Sequence, residues 1–170
     1  MKKRDDKPAA LDHVLYEMEM LVFSLHVLSR RGLSTNDGSG WLEVFAIHAR
    51  NLNEFFAPTD PGGAYMRPDH FVPWTFSYQF DADLARRASA QIAHLTYDRE
   101  RPEEKTPWPF EQHFTALRPP SVQFVTAVMQ VESLMAYPKN RARAAVLLQA
   151  FPTVRFESVQ HLANIARPNA

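Results

Sequence analysis

The 170-residue chain contains no cysteine. That absence excludes disulfide scaffolds, thiolate metal sites and thiol nucleophiles together, and it suits a reducing compartment, so a cytoplasmic location is expected. Glycine is scarce, with five residues and none after Gly63. No GxGxxG or GxxxxGK[ST] loop is present to cradle phosphates with backbone amides, and no G-x-S-x-G string marks a nucleophile elbow. Long apolar runs are missing too. The longest, Met20 to Leu28, is broken by Ser24 and His26 and is too short to span a bilayer, so no membrane partner is expected. The opening MKKRDDKPAA carries no apolar stretch behind its lysines, unlike a secretory leader. The seven histidines form no HxxH or HExxH pair, and neither a metal nor another cofactor is expected.

A net charge of one sign is also lacking, since 19 basic residues balance 19 acidic ones. The balance is uneven along the chain. Residues 1–117 hold 13 Lys/Arg against 17 Asp/Glu, whereas residues 118–170 hold 6 against 2. Such a split suits an acidic–basic contact within or between protomers better than nucleic-acid binding, for which domains are usually far more basic overall.

What is present is helical periodicity. With 45% hydrophobic residues the chain has ample material for one core. Leu11, Val14, Leu15, Met18, Leu21, Val22, Leu25 and Leu28 recur at i, i+3, i+4 and predict a helix over about 9–31. Pro8 suits its first turn, while Arg30, Arg31 and Gly32 suit its end. STNDGSG, residues 34–40, reads as a loop. A second helix is expected over about 41–57, with Phe45, Ala49, Leu52, Phe55 and Phe56 inward and Pro58 as its stop. Residues 81–99 predict a third, whose stripe is Leu84, Ala88, Ile92 and Leu95. Phe110–Leu117 reads as a short helix, and Pro119-Pro120 as the start of another that runs to Tyr137. Two more are expected over about 140–150 and 153–166. These elements define a single all-α domain over 1–170, a bundle of five or six helices with flexible ends at 1–8 and 167–170.

Between the second and third helices lies a Pro- and aromatic-rich loop, residues 58–80, with four prolines and the run HFVPWTFSYQF. Phe76, Tyr78 and Phe80 alternate and allow a short strand. The rings Trp74, Phe76 and Tyr78 either cap one end of the bundle or offer a surface to a partner. Lys139, Arg141 and Arg143 open a helix, where cations oppose the dipole.

Candidate site residues lie on two helices. Arg87, His94 and Asp98 share a polar face of the third, because seven residues make almost two turns. His48 sits among the apolar residues of the second helix. It is either a core histidine with a satisfied ring or, with Asn51 one turn away, a group facing the third helix's polar stripe. His13 and Glu17, four apart, share a helical face and read as solvated.

Arg87 and His94, with six residues between them in an all-α context, resemble the Arg-x(4–6)-His signature of the HEPN superfamily. That resemblance implies a small, often dimeric, metal-independent ribonuclease of toxin–antitoxin or phage-defence systems. Arg87 would bind phosphate and His94 would act as general acid or base, in a cleft built by two protomers with RNA as substrate. The chain departs from the pattern at Ala88, where the family usually carries a polar residue, and Arg155 with His161 satisfies the same spacing. A DinB-like metal-binding bundle is similar in size, helix count and His48 placement, yet its HxxxH pair has no counterpart here. With no specific catalytic motif, the first expectation is a non-catalytic helical protein that acts by self-association or by binding another protein. The ribonuclease, with Arg87 and His94 and the accessories His48 and Asn51, is the alternative.

Overall fold

The computed structural model describes residues 6–29, 35–58, 66–79, 81–88 and 109–154. Among them are six α-helices and no strand: α1 (Lys7–Leu28), α2 (Thr35–Phe56), α3 (Ala82–Arg87), α4 (Phe110–Val128), α5 (Glu132–Met135) and α6 (Pro138–Thr153). The all-α bundle expected from the periodicity is what forms.

α1 begins two residues before the expected start. Asp6 caps it, its carboxylate accepting from the Ala9 amide at 3.2 Å, and Pro8 fits where no amide donor is needed. Its predicted stripe is buried save Val22, which is half-buried. The expected terminal Arg30, Arg31 and Gly32 lie outside the described residues, as do 1–5 and 167–170. α2 starts at Thr35 rather than Trp41, so most of the stretch read as a loop is helix. Polar and acidic residues such as Asp37 favour a first turn as much as a loop, and composition alone does not separate the two. The predicted inner arc of α2, from Phe45 to Phe56, is buried.

α1 and α2 pack antiparallel. Tyr16 meets the His48 ring edge-on, and two turns along, Phe23 meets Trp41. α6 runs parallel to α1, with the Asn140 amide donating to Pro8 O at one end and Val154 near Ser29 at the other. α4 lies under α2, with Phe110 against Phe45 and Phe124 against Phe55 and Phe56. α1 is thus flanked by α2 on one side and α6 on the other.

Two expectations are corrected in the C-terminal half. Pro119-Pro120 does not start a helix but lies inside α4, which continues to Val128. Thr115 and Ala116, whose carbonyls lose their i+4 donors to the prolines, are exposed and remain open to water. The helix expected through Tyr137 instead breaks at Met129–Val131 and resumes as the single turn α5. α6 carries Pro152 in its last turn, and most of the helix expected over 153–166 lies outside the described residues. So do Ile92 and Leu95 of the third helix, while Leu84 and Ala88 are buried as predicted.

The aromatic connection is irregular: a 3-10 turn, Pro68–His70, and then an extended strap through Gln79 with no strand. Pro73 has no amide with which to donate to a neighbouring strand. Phe71, Trp74, Phe55 and Phe56 surround Phe124, with ring centroids 5.1–6.4 Å apart. Trp74 stacks on Phe56 at 5.8 Å. The rings cap the bundle. Phe124→Ala should therefore remove about 3–5 kcal/mol of stability and loosen the strap. Urea unfolding followed by circular dichroism and by tryptophan emission checks this, with both probes shifting together.

Candidate functional site

The polar residues that the fold brings together are not those the helical faces suggested. At the base of the strap, Asn53 of α2 is fully buried and all its side-chain capacity toward the strap is used. Its Oδ1 accepts from the Tyr78 hydroxyl and from the Asp81 amide, both at 2.9 Å, and its Nδ2 donates to Asp81 O at 2.9 Å. Asp81 in turn caps α3, accepting from the Leu84 amide at 2.9 Å through Oδ1. Its Oδ2 accepts from His113 Nδ1 of α4 at 2.8 Å. One asparagine and one aspartate thus join α2, the strap, α3 and α4.

Burial sets the electrostatics here. Desolvation pushes the His113 imidazole below its ordinary value; the Asp81 carboxylate opposes that shift, and the Arg87 guanidinium adds to it. Tyr78 is raised well above the usual phenol range by burial and by Asp81. Arg87 is 6% exposed, and its Nη1 lies 4.0 Å from Asp83 Oδ2. Arg87 is thus buried at the end of α3, where its charge disfavours the charged form of His113. His94 and Asp98, its expected partners, lie outside the described residues.

His48 and Asn51 both reach α1, and the stretch of the third helix that they were expected to face, with His94 and Asp98, lies outside the described residues. Both donate to Glu17 Oε2, His48 Nδ1 at 2.7 Å and Asn51 Nδ2 at 2.9 Å. The reading of His48 as a histidine whose ring finds a partner holds, and the partner is a carboxylate. α1 and α2 pack along most of their length, which places Glu17 beside His48 and Asn51, and among the described residues the start of α3 is tied to α2 at Asn53. His13 is exposed, in keeping with its solvated reading. Among the described residues no group of three or more His, Asp or Glu is placed to hold a metal ion. The arrangement offers no assembled ligand set there, and the carboxylate–imidazole pairs act as ties between helices.

The split charge is partly internal. Arg143 of α6 approaches Asp12 and Glu19 of α1, each at 3.3 Å, and stacks on the Tyr16 ring at 5.3 Å. Lys139 and Arg141 are exposed. Around this cluster the outer face of α1 presents two aromatic rings among polar residues, Glu19 and His26. Tyr16 and Phe23, seven residues and so about 10 Å apart along the helix, are 41% and 45% exposed. Val146 of α6, at 55%, stands beside Phe23 on the rim of a groove of about 490 Å³ that Val22, Leu147, Ala150 and Val154 also line.

The residues missed from sequence had a signal. Asn53 falls on the apolar arc of α2 between Leu52 and Phe56. His113 falls on the Phe110–Phe114–Leu117 face of α4. A polar residue at a core register implies a buried partner.

No family model, curated protein or solved structure matches the chain. No helix among the described residues is long and apolar enough to cross a membrane.

The lowered His113 value has a sign that can be worked out. The fold holds the imidazole neutral, so below the ordinary value near 6.5 the unfolded chain binds more protons than the native state. Stability is full above that pH and is lost as pH falls from it toward the native value. Thermal midpoints should decline between pH 7 and 5, and His113→Gln should flatten that part of the decline. An unchanged slope in the variant would place the effect on another histidine.

Proposed function

We propose that the protein acts by association, as a homodimer or a small complex, through the outer face of α1 and its border with α6. The observation that carries this is the exposure of Tyr16, Phe23 and Val146 on one continuous face beside an apolar groove. Rings and an arginine framed by charges are the composition that protein interfaces favour, and the Arg143–Tyr16–Glu19 cluster supplies the polar rim. A self-complementary face of this kind pairs across a two-fold axis. The cysteine-free composition fits action in the cytoplasm.

Light scattering on a size-exclusion column tests the reading. The protein should show a dimeric mass at high concentration. Phe23→Glu and Val146→Glu should each give a monomer with unchanged circular dichroism, because both side chains are already solvated in the single chain. A strict monomer at every concentration would remove the homodimer, as would glutamate variants that still dimerise.

The second reading is a metal-independent ribonuclease of the HEPN kind. One observation favours it: in a helical bundle the Arg87 guanidinium is buried and its charge acts on an imidazole, that of His113. Under this reading Arg87 binds the phosphate of RNA and His94 moves the proton, once Arg87 opens from its buried place. Cleavage of RNA should then persist in EDTA. It should fall by about 10²–10⁴-fold in His94→Ala, and comparably in Arg87→Ala, with folding retained. Activity equal in the variants and the parent would exclude it.

A further inference from the structure

Away from the outer face of α1, a second cavity opens between α1 and α2. It holds about 210 Å³ and is floored by Val14, Leu52, Phe55 and Met66. Two carboxylates, Glu17 and Glu54, stand at its wall with His13 and Asn51. Both are held in place. Glu17 Oε2 accepts from His48 and Asn51, and Glu54 Oε1 accepts from Arg50 Nε at 3.1 Å. Neither Glu17 Oε1 nor Glu54 Oε2 has a hydrogen-bond donor among the described residues. The two side chains are about one-quarter exposed and neither oxygen is among the buried unpaired atoms, so both meet solvent on residues that line the cavity.

We propose that this cavity binds a small organic ammonium, an amine with a short apolar body. Charge selects the cation. Two carboxylates with one guanidinium, that of Arg50 on Glu54, leave the wall negative, and an ammonium donates to the open oxygens with a charge that an anion or a neutral alcohol lacks. The apolar floor selects the body, since water on Phe55, Leu52 and Met66 is displaced by hydrocarbon. Volume limits the size: at ~30 Å³ per water the space equals about seven solvent molecules, which suits seven or eight non-hydrogen atoms. The carboxylates are preorganised by their partners, so little ordering is needed on binding. This site is independent of the proposed association face, and neither reading needs the other.

Benzylamine and n-hexylamine are the probes, followed by NMR shifts of the Met66 methyl and the Asn51 side-chain amide. Both amines should give saturable shifts at these two groups, with a dissociation constant on the order of 1 mM or tighter. Benzyl alcohol and hexanoate should bind at least tenfold more weakly. Glu54→Gln should weaken benzylamine about tenfold, the scale of one charge-assisted hydrogen bond. Met66→Lys, at a position 38% exposed and thus safe for folding, should abolish binding by placing an ammonium in the space. Saturable binding of the alcohol equal to that of the amine would overturn the proposal. Absence of saturable shifts with either amine would overturn it too, as would a Met66→Lys protein that still binds.

Discussion

The arrangement of the bundle depends on the buried side chain of Asn53. Three hydrogen bonds to Tyr78 and Asp81 fix the point where the aromatic strap ends and α3 begins. Each bond is worth only about 1 kcal/mol net, but leaving the amide unpaired in the core costs more than the bonds contribute. The network is therefore directional as well as cohesive. Packing of Phe71, Trp74 and Phe124 is tolerant of small slides, whereas the asparagine admits one register of the strap. Asp81 extends the constraint to α4 through His113 and to α3 through its cap.

On the other side of the bundle α1 has the opposite character. It is held between α2 and α6 by Glu17, by Asn140 and by the Arg143 cluster, and its inner stripe is wholly in the core. Its outer side carries Tyr16, beneath the Arg143 guanidinium, and Phe23, against Trp41, both still partly exposed. A helix held on several sides is rigid, and rigidity lowers the entropy lost on any association. The same rigidity shapes the cavity beside Glu17, whose carboxylate is positioned by the ties that hold α1 to α2.

The helical core was legible because its information is local. The stripes of α1 and α2, and Leu84 and Ala88, followed from spacing alone, since burial of one face dictates the period. Helix ends were less legible. Thr35–Gly40 and Pro119-Pro120 are loop-like by composition yet helical, because tertiary packing overrides weak local preference. Of the site residues, His48 and Asn51 share Glu17 of α1, a partner that their own helix does not reveal, while His94 lies outside the described residues. The choice between Glu17 and the third helix depends on which helices are neighbours, and no single-helix period contains that. Arg87 was singled out from its spacing to His94, and in the fold it is buried and paired with Asp83 one turn before it. Asn53 and His113 were passed over because their helical registers were read for hydrophobicity rather than for the polar exception.

The central claim is that the outer face of α1 is an interaction surface and the strap side is not. Hydroxyl-radical footprinting at low and high protein concentration measures it side chain by side chain. Labelling of Tyr16 and Phe23 should fall as concentration rises, while Met66, which is comparably exposed at 38%, keeps its rate. Unchanged labelling of Tyr16 and Phe23, or protection of Met66 in their place, would contradict the account.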